Sequence, residues 1–227
     1  MHIPDGYLSP ATCLIGAAVM LPIWAISSKK VKETLKAREV PYLAVGSAFS
    51  FVIMMVNIPI PGGSTGHGVG GVLLAVLLGP WAACIAVCVA LVIQALLFGD
   101  GGITCLGINC LNMAFILPFA GYYIYRLISA KSPPKSNRRW IAAAIGAYAG
   151  ICMAALCAGI ELGVQALLYH KPDGQALYCP YGLSVSIPAM FGSHVMVFGW
   201  VDFVMAGMIV KFLQKQDSFL IKEEKSA

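Results

Sequence analysis

Three nitrogen donors stand within the first two residues. A free amine on Met1, the backbone nitrogen of His2 and the His2 imidazole can close a five-membered and then a six-membered chelate ring around one metal ion. The amide binds only after losing its proton, so metal affinity is coupled to ligand deprotonation. Cu(II) and Ni(II) promote that loss near neutral pH and favour a square plane of nitrogens. The chelate fills three corners, and the fourth donor must come from elsewhere in the chain. The opening Met1-His2-Ile3-Pro4-Asp5-Gly6 lacks the basic flank and small-residue cleavage site of a secretory signal. A bulky His2 also protects an initiator Met, so the chain is expected to be mature from Met1.

The chain has four histidines. His67 lies in the run Pro59 to Gly71, which is too rich in glycine for a helix and able to pass close to other backbone. It is the natural fourth corner. His170, in the loop His170-Lys171-Pro172-Asp173-Gly174, is its competitor. His194 sits inside an apolar run and suits a supporting hydrogen bond better than a direct metal bond. The eight cysteines contain no CxxC, and they read as small buried hydrophobes. Walker A, HExxH and GxSxG motifs are all missing from the sequence. The chain is therefore expected to be neither an enzyme nor an ATPase, and to need no catalytic cofactor.

The elements that must position these donors are membrane helices. The sequence is 59% hydrophobic and 11% charged, with a mean hydropathy of +0.81, where a soluble domain carries about 25% charged residues. It reads as an all-α integral membrane protein, one transmembrane domain over 1-227 built as a bundle of about seven helices. The spans are expected at 7-27, 41-60, 69-79, 81-98, 103-127, 140-168 and 183-210, with a tail over 211-227. Gly79-Pro80 divides the third from the fourth. Fourteen of the 15 Lys and Arg fall in 29-39, 126-139 and the tail, Lys171 being the exception. By the positive-inside rule these segments are cytoplasmic, which puts the N-terminus outside and the C-terminus in the cytoplasm. The net charge of +5 is thus a topology signal, and no nucleic-acid partner is read from it.

Polar residues inside or beside the spans need partners. Asn109 and Asn112 are expected to face other helices, and Glu161 to be solvated or hydrogen-bonded. Asp5, Asn57, Thr65 and His194 are the candidates for groups that support the metal ligands. Ala44-x-x-x-Ala48 and Ala142-x-x-x-Gly146-x-x-x-Gly150 offer faces on which another helix can approach closely.

The opening Met1-His2-Ile3-Pro4-Asp5-Gly6-Tyr7-Leu8-Ser9, Gly66-His67 in its glycine loop and the run His194 to Asp202 resemble the NikM and CbiM proteins. These are the substrate-binding membrane (S) components of energy-coupling-factor nickel and cobalt transporters. The resemblance covers nearly the whole chain. It implies a four-nitrogen square-planar site made by Met1, His2 and His67, with Ni(II), or Co(II), as transported substrate. It further implies a bacterial or archaeal cell (inner) membrane, a transmembrane coupling subunit, two ATP-binding subunits and a small accessory membrane subunit. Ala44 and Ala48 are then candidates for the docking face. The family usually carries Glu where Asp202 stands, so a role for that carboxylate does not carry over. Two other classes compete. A proton-coupled metal permease would have only Glu161, His194 and Asp202 to line its path, and a membrane redox enzyme would have to use Cys and His at unfamiliar spacings.

Overall fold

The computed structural model describes residues 1–221, so Lys222 and Lys225 of the tail lie outside the described residues. Within them, seven helices follow one another: α1 Pro10–Thr34, α2 Val40–Met55, α3 Gly71–Leu78, α4 Pro80–Phe98, α5 Leu106–Ser129, α6 Asn137–Leu168 and α7 Leu183–Lys215. All but α2 and α3 are long and apolar enough to cross a membrane. The lipid-facing surface is a belt of exposed apolar side chains, among them Leu14, Leu97, Leu127 and Met196. The fold is the helical membrane bundle that composition demanded.

Local chemistry sets the helix ends. α1 begins at Pro10 rather than at residue 7 because the Ser9 hydroxyl accepts the Thr12 N–H and Pro10 fills the first turn. It runs on past residue 27 to Thr34, with Lys29 and Lys30 beside Glu33, since long charged side chains leave the helix geometry undisturbed where it emerges from lipid. α2 stops at Met55, short of residue 60, because Pro59 and Pro61 cannot continue it. Ile58–Pro59 (β1) instead pairs antiparallel with Thr65–Gly66 (β2). The glycine run is therefore packed rather than loose, and its backbone is buried continuously from Gly66 to Ala75. Gly70, at φ 74°, turns the chain into α3, seven of whose eight residues are buried. Protein surrounds α3, which explains how a helix of roughly 12 Å exists within a bundle of longer ones. α7 likewise continues past residue 210 to Lys215, where basic residues reach solvent.

Glycines bring the central helices together. A Cβ on Gly146 of α6 would stand 2.5 Å from the Gly121 carbonyl oxygen of α5, and one on Gly150 would stand 2.5 Å from that of Leu117. The Ala142-Gly146-Gly150 face is thus occupied within the bundle. On α2, Gly46 packs on Leu74 and the Ser47 hydroxyl donates to the Ala86 carbonyl at 2.8 Å, which turns Ala44 and Ala48 to the exposed side. π-helical turns widen α4 at Gln94–Phe98, α5 at Leu111–Ile116, and α7 at Pro188–Gly192 and His194–Phe198. Pro118 accounts for the turn in α5, since a proline ring clashes with the carbonyl one turn before it.

The connections sort to two ends. Residues 1–6, the β1–β2 hairpin, the 99–105 turn and the loop holding Cys179 meet at one of them. At the other, Lys135 pairs with Asp217 at 2.7 Å and Arg38 lies over the Phe219 ring at 4.7 Å. Gly146→Val is expected to destabilise the bundle by about 1–3 kcal/mol through backbone overpacking. A Tm several degrees lower for the detergent-solubilised protein would show it, and an unchanged Tm would mean that α5 and α6 do not meet there.

Candidate metal centre

The first three residues run into the protein interior, with Met1, His2 and Ile3 at 0%, 3% and 0% exposure. A chain end is full of unpaired backbone groups, and burying them unpartnered costs several kcal/mol each. Asn109 of α5 meets this need by acting as a strand. Its Oδ1 accepts the Ile3 N–H at 2.9 Å and its Nδ2 donates to the Ile3 carbonyl at 3.1 Å, where the Gly102 N–H also donates at 2.9 Å. Further along, the Asp5 carboxylate accepts the backbone N–H of Ile103 and Thr104 and the Thr104 hydroxyl, and these bonds hold its pKa down. Asp5 is thus a clamp on the entering segment, exposed and removed from the donor atoms.

The Met1 amine lies 2.8 Å from His67 Nε2 and donates to the Thr65 carbonyl and, at 3.1 Å, to the Thr65 hydroxyl. The His2 and His67 rings are 4.6 Å apart at 34°. Each ring is held in one tautomer. His67 Nδ1 faces the Gly68 carbonyl at 3.0 Å; a carbonyl can only accept, so the proton is on Nδ1 and the Nε2 lone pair points to the amine. His2 Nε2 faces Gln94 Oε1 at 3.1 Å, and the Gln94 amide is oriented by donating to the Phe51 carbonyl at 3.3 Å. The His2 proton is therefore on Nε2. Among the described residues its Nδ1 is left buried without a hydrogen-bond partner, 3.6 Å from Asp100 Oδ1.

Burial fixes the charge state. It pushes the Met1 amine and His67 well below their ordinary pKa values and His2 to about 3; the charge of the amine adds to the effect on both rings. Burial thus favours the neutral form of all three groups, in which each has a lone pair for a cation. Burial raises the Asp100 carboxyl in turn, against the pull of the amine and the Asn57 hydrogen bond. Among the described residues, His, Cys, Asp and Glu side chains form no group of three or more suited to a metal ion. A metal here needs backbone nitrogen as well.

α7 holds the loop from behind. Asp202 Oδ1 accepts the Val69 N–H at 3.0 Å and the Gly70 N–H at 3.3 Å, just past His67. Met190 Sδ accepts the Ser64 N–H at 3.3 Å, and the Phe198 ring lies against Gly66. His194, fully buried, donates from Nδ1 to the Met190 carbonyl at 2.7 Å and stands within electrostatic reach of the amine and His67.

The structure thus gathers Met1, His2, Thr65 and His67, with His194 behind them. Asn57 lies one step removed, donating to Asp100 Oδ2 at 2.9 Å. His170 is exposed and faces the Lys171 carbonyl, taking no part. Ala44 and Ala48 lie on α2, away from this cluster. Glu161 accepts from Asn112 at 2.6 Å between α6 and α5. Sequence reasoning missed the roles of Gln94, Asn109, Asp100 and Asp202. An amide in the apolar run 81-98 was the available signal for Gln94, because it must find a partner there.

The pH response of the metal-free protein follows from these neutral groups. The folded His2 binds its proton at about 3 rather than 6.5, so its share of stability is fully present above 6.5 and is lost as pH falls toward 3. The expected loss is up to about 1.4 kcal/mol per pH unit for each such group. Thermal unfolding between pH 7 and 4 measures it, and a Tm independent of pH would contradict the buried neutral cluster.

The comparisons agree with this architecture. The family model for the cobalt uptake substrate-specific transmembrane region matches residues 2–219. The probable fused nickel transport protein LarMN of Lactiplantibacillus plantarum is 52% identical over 95% of this chain and 65% of its own length. The fused nickel transport protein NikMN of Rhodobacter capsulatus is 48% identical over 97% of this chain and 64% of its own. The chain therefore spans less than two thirds of either fused relative. A crystal structure of a truncated transition metal transporter superposes with a TM-score of 0.91 at 53% identity, covering 95% of this chain and 99% of that one. With nearly its whole length matched, this multi-pass membrane chain belongs to the CbiM/NikM family of cobalt uptake substrate-specific transmembrane regions.

Proposed function

We propose that the chain is the substrate-specific component of an ATP-driven energy-coupling-factor importer, which captures Ni(II), or Co(II), outside the cell and delivers it to the cytoplasm. Met1 gives its amine, His2 its deprotonated amide and Nδ1, and His67 its Nε2. The observation that carries this reading is the 2.8 Å separation of the Met1 amine and His67 Nε2, with both imidazole lone pairs left free by the tautomers that Gln94 and Gly68 impose. Two donors at adjacent corners of a square lie about 2.8 Å apart when each is about 2.0 Å from the metal. Low-spin Ni(II) suits such a plane, whereas Co(II) deprotonates amides less willingly. Cu(II) stands above both in affinity, so its exclusion falls to supply and to the transport cycle. Two of the relatives are named nickel transport proteins, and the family description names cobalt uptake.

A planar nitrogen site holds its ion too firmly to release it without work. The chain shows no ATP-binding motif, which supports partners that supply the energy: a transmembrane coupling subunit and two ATP-binding subunits. The fused relatives run on beyond the matched region, which supports an accessory membrane segment acting beside this one. The basic segments collected at the end opposite the metal centre support the orientation with Met1 outside and the C-terminus in the cytoplasm of a bacterial or archaeal cell. The exposed Ala44 and Ala48 fit a docking face for the coupling subunit.

The native protein is expected to bind one Ni(II) with a planar-nickel absorption, and a form with one residue ahead of Met1 to lose it. Equal binding by both forms would remove the amine from the site. Ala44→Trp is expected to abolish ATP-driven uptake while nickel binding persists, and normal uptake by this variant would overturn the docking assignment. Uptake that follows a proton gradient instead of ATP would favour a secondary permease.

A further inference from the structure

The metal centre is approached through a cavity of about 420 Å³ between the N-terminal segment, the β1–β2 hairpin and the 99–101 turn, with His2 and Asp100 in its lining. It has room for an ion with about six waters, at roughly 30 Å³ each. Among the described residues, Asp100 is the one acidic side chain on its wall. The turn that presents it is held on two sides: the Asp100 N–H donates to the Gln94 carbonyl at 3.1 Å, and Gly101, at φ 85°, lets the backbone pass so near His2 that a Cβ would meet its ring at 3.1 Å. Asn57 occupies Oδ2. Oδ1 is left facing His2 Nδ1 at 3.6 Å, and the Gln94 contact keeps the proton off that nitrogen. Two acceptors face each other across a gap without a proton between them, and His2 Nδ1 is buried with no other partner. This is an arrangement that a cation relieves.

We propose that Asp100 Oδ1 and His2 Nδ1 form an entry station for the divalent ion, which binds there with part of its water shell before moving into the nitrogen plane. This inference rests on the four-nitrogen reading, because His2 Nδ1 is the ligand common to both positions. Carboxylate, imidazole and water together suit a hydrated first-row ion that has not yet displaced an amide proton. As Ni(II) enters the plane the His2 amide proton passes to the water of the cavity, so that the single amide anion leaves the complex with one positive charge, which the Asp100 carboxylate neutralises. An acid at the base of a cleft also raises the local cation concentration and the capture rate, by tenfold or more in comparable clefts.

The test uses the purified full chain with its native Met1 and follows growth of the planar-nickel absorption after mixing with Ni(II). In Asp100→Asn, an amide N–H turns to His2 Nδ1 and caps it, so the association rate is expected to fall about tenfold or more. Asp100→Glu keeps the carboxylate and is expected to stay within about threefold of the native rate. Mn(II), which deprotonates amides poorly, is expected to occupy the station alone and so to slow Ni(II) capture by the unaltered protein. That arm needs no variant to fold. A native planar band that grows at the same rate in Asp100→Asn, with no competition from Mn(II), would overturn the station. A native protein with no planar band at all would instead overturn the four-nitrogen reading beneath it.

Discussion

The rest of the structure depends on burying a chain end inside an apolar bundle. Amine, amides and carbonyls of residues 1 to 3 lose their water together, and each must be met by a fixed partner. Asn109 answers both polar groups of Ile3, Thr65 answers the amine, and Gln94 answers the His2 ring. Asp5 secures the entry. Because these partners sit on α4, α5 and the β1–β2 hairpin, placing the terminus also fixes those elements around it.

The opposing constraint falls on the loop that faces the terminus. His67 belongs to no helix, yet its position is as determined as that of a helical residue. Asp202 holds the backbone just past it, Met190 and Phe198 hold the backbone just before it, and the buried α3 anchors its far side. All three gripping side chains lie on α7, two of them within its π-helical turns. A helix that shifts along its axis would therefore move the His67 side of the site relative to the Met1 side. The π turns are where such a helix has already departed from regular hydrogen bonding.

The electrostatics of the site come from dehydration more than from charge. Burial disfavours the protonated amine and both imidazolium forms, which favours a cluster rich in lone pairs before any ion arrives. The cost is an unpartnered nitrogen on His2 among the described residues, and an expected loss of stability at acidic pH. An ion that accepted these lone pairs would recover that cost, which would couple its binding to docking of the N-terminus.

Composition and charge placement by themselves determined the class of this protein: low charge content points to a membrane chain, and long apolar runs point to helices rather than to the other internally satisfied solution, a closed barrel. The order Met1-His2 was also sufficient to suggest a chelate, since its rings would close through covalent bonds that no fold can alter. The sequence favoured His67 over His170, but bringing His67 to within 2.8 Å of the Met1 amine was decided by packing, through contacts of α7 with the glycine run. The same holds for Gln94, Asn109 and Asp100. Each is one polar residue among many until the fold brings it, from 92 to 106 positions away, against residues 1 to 3. Local pattern carries information over a turn or a chelate ring, whereas these hydrogen bonds join elements whose adjacency is set by how whole helices pack.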